Sequence, residues 1–183
     1  MPEAHYGALT KPLGRAAPGL RVFGMRRRVI IGGAIVVLAL VAFGLHWFQP
    51  WKLFTTRTII DTPPASSTLI ASGALVSHEH ETSGTVELVR LPDGRYQVIL
   101  RELSSSDGPE LWLWMTDQEV LPGKEGWEVF DDGQWVALGR MKGTHGLQVY
   151  DVPPGTDISQ FKSVTIWCKR FAVSFGAAPL APV

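Results

Sequence analysis

Charge disappears from one stretch of this 183-residue chain and the hydrophobic period changes after it. Residues 29–51 contain no Asp, Glu, Lys or Arg, and 29–45 is unbroken apolar sequence. A helix over 29–48 would be roughly 30 Å long, the thickness of a bilayer's hydrocarbon layer. Trp47 and Trp51 then stand where an aromatic belt belongs. Beyond them the period is two. Residues 85–91 alternate and 96–100 return after the turn signal Pro92-Asp93-Gly94-Arg95. In 110–115, Leu111, Leu113 and Met115 share one face while Trp112 and Trp114 take the other, so both faces should be covered. Further strands are expected at 135–141, 146–151, 163–168 and 171–175. Residues 117–135 read as irregular, with turns at Leu121-Pro122-Gly123 and Asp131-Asp132-Gly133. The one helical signal after residue 51 is the single turn begun by Asp157-Ile158-Ser159-Gln160. The pattern predicts an all-β, antiparallel sandwich or barrel-like domain preceded by one transmembrane helix.

Four segments follow. Residues 1–28 form a basic arm with six cations against the single acid Glu3. Residues 29–48 are the span, 49–71 an extracytoplasmic linker stiffened by Pro63-Pro64, and 72–183 the domain. The triplet Arg26-Arg27-Arg28 puts the N-terminus in the cytoplasm and the domain outside. A cleaved signal peptide would have a shorter apolar region and a small-residue cleavage site, which His46-Trp47-Phe48-Gln49-Pro50-Trp51 does not offer. An uncleaved signal-anchor in the cell membrane is the expectation.

Composition narrows the function. The formal net charge of +0 excludes a polybasic nucleic-acid binder, so no nucleic acid is expected as partner. Beyond residue 48, eleven cations meet sixteen acids, which disfavours anionic ligands. The single Cys permits no internal disulfide. The absence of Asn and the excess of Arg over Lys suggest a high-GC bacterial source. No hydrolase, transferase or nucleotide-binding motif is present, so the reading leans away from an enzyme.

Few residues carry chemistry. His78 and His80 would share a face on a strand and could join in a metal site, or form a polar pair on a solvated face. His145 reads as a turn residue before a general base. Cys168 shares a face with Val164 and Ile166, which points to an apolar environment, while Lys169 and Arg170 follow it directly. It is either a small core residue or a sulfur able to ligate haem iron or another metal, or to be oxidised. His145, Met141, His78 and His80 are weaker candidates for the same site.

The segments Leu138-Gly139-Arg140-Met141-Lys142-Gly143 and Gly146-Leu147-Gln148-Val149-Tyr150-Asp151-Val152-Pro153 are similar to successive blocks of the DM13 domain family. Ser163-Val164-Thr165-Ile166-Trp167-Cys168 with Phe171-Ala172-Val173-Ser174-Phe175-Gly176 resembles its C-terminal signature. Trp167, Tyr150, Pro153, Phe171, Phe175 and Gly176 are the signature positions. The resemblance implies a β-rich extracytoplasmic domain in electron transfer, with Cys168 at the family's redox or haem-ligating cysteine. With one span, no transmembrane haem pair can be built within this chain. The expected function is a membrane-anchored redox module that works with a redox or cell-envelope partner, haem being its candidate cofactor. The alternative is a non-catalytic envelope module in which Cys168 only packs.

Overall fold

The computed structural model describes residues 20–183. It separates into a unit ending at His46 and a unit of Trp47–Val183. The first holds all but the last two residues of helix α1, Leu20–Phe48, a helix whose 29 residues would measure about 43 Å. Its side chains from Val29 onward are apolar on every side and solvent-facing. Among the described residues, Arg26–Lys52 is the one segment long and apolar enough to cross a membrane, and a signal sequence has the same character. The expected basic arm lies for the most part outside the described residues. The helix stops where Gln49 turns left-handed (φ 44) and Pro50, which has no N–H, opens a short 3₁₀ turn, Pro50–Phe54.

The second unit is a sandwich of eleven strands. They are β1 (Thr58–Ile60), β2 (Thr68–Ala74), β3 (Val76–Ser77), β4 (Ser83–Arg90), β5 (Tyr96–Ser104) and β6 (Leu111–Thr116). Then come β7 (Trp135–Arg140), β8 (His145–Asp151), β9 (Ser163–Cys168), β10 (Val173–Pro179) and β11 (Ala181–Pro182). One sheet runs β1-β8-β5-β4-β2-β11 and the other β3-β10-β9-β6-β7. Every neighbouring pair is antiparallel except β1 on β8. Both sheets are open, so the sandwich expectation holds and the barrel does not.

The period-two pattern decides what each face buries. Val86, Leu88, Val98 and Leu100 from one sheet meet Leu111, Leu113, Met115, Val164, Ile166 and Cys168 from the other. The outer face of the second sheet carries a smaller cluster of Trp114, Trp167, Phe130 and Ala177. Trp114 stacks flat on Trp135 at 4.0 Å and lies 5.4 Å from Trp167. The irregular stretch between β6 and β7 covers that face with Phe130, which is fully buried. Its end, where the sequence predicts a turn at Asp131-Asp132-Gly133, is a 3₁₀ turn over Val129–Asp131 followed by bends at Asp132 and Gly133. The turn predicted at Asp157 is present, with its carboxylate accepting from the Ser159 N–H. Trp112 is only half covered, with the Arg140 and Lys169 cations over its ring at 5.3 and 5.1 Å.

The expected linker is built into the domain. β1 pairs with β8 from Thr58 to Ile60, and β2 begins at Thr68 rather than beyond residue 71. Asp61 fixes this edge by accepting from the Val149 N–H at 2.9 Å and from the Lys142 ammonium. Those bonds hold its carboxyl below the ordinary carboxylate range. Gly146 makes the pairing possible, since a Cβ there would collide with the Ile59 carbonyl.

Candidate functional site

Cys168 ends β9, opposite Leu111 of β6 and Val173 of β10, and has no exposed surface. The chain then reverses through residues 169–172, where Ala172 takes a left-handed conformation (φ 50). The Phe171 N–H closes the reversal by donating to the Cys168 carbonyl at 3.2 Å. Burial pushes the thiol's pKa up, the backbone amides of Phe171, Arg170 and Glu110 pull it down, and the Glu79 carboxylate adds to the rise; the balance is upward. The cationic heads of the two residues that follow Cys168 engage other groups. Lys169 covers Trp112, and Arg170 reaches Glu110 and the Trp47 carbonyl.

The same end of the sandwich holds a cavity of about 220 Å³. Phe48, Pro50, Pro109, Phe171 and Phe175 give it an apolar lining, and Lys52, Glu79, His80 and Asp107 supply charge. Phe175 is shared with the core cluster that contains Cys168. The His80 ring lies 4.0 Å from the Phe175 ring, and Phe48 stacks on Phe171 at 5.7 Å. His80 Nε2 is 2.6 Å from a Glu79 carboxylate oxygen. Lys52 donates to the Gly108 carbonyl at 2.9 Å and faces Asp107 at 3.6 Å.

The other sequence candidates do not converge on Cys168. His78 is buried with both ring nitrogens engaged, Nδ1 with the Ser174 hydroxyl at 2.7 Å and Nε2 with the Leu121 carbonyl at 3.0 Å. It stacks on Phe130 of the outer cluster, whereas the His80 ring lies tilted against Phe175 of the inner core, so the two imidazoles do not form a pair. His145 lies in the other sheet, held by Thr144 and Ser104 hydroxyls. Met141 follows β7 and hydrogen-bonds Leu111, which puts it two strands from Cys168, about 10 Å. Its sulfur accepts from the buried Tyr150 hydroxyl, whose pKa burial pushes up to about 12. Pro153 follows β8 and its carbonyl accepts from the Thr156 hydroxyl. Gly176 sits at the β10 bulge, where a Cβ would press on the Thr82 side chain at 2.7 Å.

Among the described residues no group of three or more His, Cys, Asp or Glu side chains could hold a metal ion. Haem ligation through Cys168 needs a slot on the sulfur wide enough for the macrocycle. The sulfur is fully covered, and none of the candidate ligands stands opposite it. The cavity is also smaller than the roughly 300–1,000 Å³ typical of pockets for drug-sized molecules. These residues do not fit a haem-thiolate centre.

His78 gives the domain a pH dependence. Burial lowers its pKa below the usual 6.5, while the unfolded chain keeps the ordinary value. The unfolded state therefore binds more protons between the two values, and stability is lost as pH falls through 6.5 toward the folded pKa. Urea unfolding at neutral and mildly acidic pH should show this loss, reduced in His78→Gln.

Sequence reasoning missed Lys52, Glu79 and Pro109 because the cavity joins four distant stretches. The adjacent pair Glu79-His80 was the available signal. A family model described as "Electron transfer DM13" matches residues 74–180, more than half of the chain. No curated protein and no solved structure matches it.

Proposed function

Because the chain belongs to the DM13 electron-transfer domain family, we propose that it is a membrane-anchored module that passes electrons outside the cytoplasm. The observation that carries this reading is the convergence at one end of the sandwich of the family's cysteine, the Glu79–His80 pair and the cavity. The apolar helix with Arg26-Arg27-Arg28 on its inner flank supports an anchor whose N-terminus is cytoplasmic. Glu79–His80 supplies a proton acceptor at the cavity. Cys168 enters as a covered sulfur in the core beside the cavity rather than as an exposed thiol, with the electrons on a carrier held at this end of the sandwich. A redox protein of the envelope is its partner in this reading. Voltammetry of the full chain purified in its native lipid, with the redox carrier it retains, tests it: a reversible wave absent from the same lipid without the protein is expected, and a flat trace would remove the reading.

A further inference from the structure

We propose that the cavity beside Cys168 binds the ring of a membrane-borne quinone. This rests on the electron-transfer reading and names the carrier it would serve. About 220 Å³ accommodates a single ring system and not a macrocycle. Phe48, Phe171 and Phe175 offer aromatic faces for stacking.

The polar groups suit a ring bearing oxygens. Of the three Lys52 N–H bonds, one reaches the Gly108 carbonyl and one faces Asp107, which leaves a donor for a quinone carbonyl. Glu79, an acceptor when ionised, holds the proton on His80 Nε2, so Nδ1 accepts from a quinol hydroxyl. One donor and one acceptor therefore serve both the oxidised and the reduced ring. The carboxylates of Glu79 and Asp107 outnumber the Lys52 cation in the lining, which disfavours an anion and suits a neutral ring.

The membrane source follows from chain continuity. Phe48 and Lys52 line the cavity and also close the apolar segment Arg26–Lys52. A carrier with a long apolar tail reaches such a site while its tail stays in lipid.

The test is calorimetric binding to the full chain in lipid nanodiscs, with a decyl-substituted benzoquinone and with tailless menadione as probes. Saturable binding of the decyl compound, tighter than that of menadione, is expected. His80→Gln and Lys52→Met should each weaken it about tenfold, the loss of one strong hydrogen bond. Decylbenzene, which lacks the oxygens, should not compete. If His80→Gln loses its β-type circular dichroism, Phe171→Ala, in the exposed reversal, replaces it with the same expected direction. Binding no greater than to empty discs, binding unchanged in the variants, or menadione binding as tightly would each overturn the inference. Binding needs no electron flow. Saturable His80-dependent binding without a voltammetric wave would keep the site and remove the reading beneath it, and a wave without binding would do the reverse.

Discussion

Trp167→Ala is expected to cost the domain about 3–5 kcal/mol, the usual range for removing a buried aromatic. Its ring is 1% exposed and sits between Trp114 at 5.4 Å and Phe130 edge-on at 6.4 Å. Partial collapse of the covering stretch would not refill the gap, because Phe130 is itself fixed against His78 at 5.6 Å. Domains of this size hold roughly 5–15 kcal/mol, so the variant would stand near the edge of unfolding. Urea denaturation measures the change. A loss below about 1 kcal/mol would mean that the outer aromatic layer is not a packed core.

The second large effect concerns Cys168. Its thiol has no exposed surface and its pKa is raised chiefly by burial, so both access and thiolate fraction are reduced. Alkylation must wait for opening of the β9–β10 reversal or of the whole domain. With about 5 kcal/mol of stability, opening is populated about once in several thousand. Iodoacetamide should therefore label the native chain about a thousandfold more slowly than the chain unfolded in guanidinium. Labelling at similar rates would mean that the sulfur is open to solvent, and the redox thiol would return as the better account.

The strands that bury an alternating face were readable from the chain. β4 and β5 stand on either side of a turn whose geometry is local: Asp93 accepts from the Arg95 N–H, and Gly94 takes φ 85. β9 reads clearly because Val164, Ile166 and Cys168 are all needed by the core. β1 was hidden, since Thr58-Ile59-Ile60 has no alternation long enough to notice and takes its partner from residues 145–147. Its anchors, Asp61 and Gly146, make sense only once β8 is alongside. β3 and β11 are two residues each, set by tertiary contact rather than by pattern. The site divides in the same way. The burial of Cys168 was legible from its face, but the position of its cationic neighbours was not. The cavity joins segments near residues 48, 79, 108 and 173, and no local period records that meeting.

The central claim is that electrons pass at the end of the sandwich where Cys168, His80 and the cavity meet. Voltammetry of the full chain against His80→Gln, each purified in native lipid with the redox carrier it retains, tests it most directly. The account predicts a reversible wave for the native chain that is shifted or lost in the variant, with circular dichroism unchanged. A wave of the same potential and size in both would contradict it.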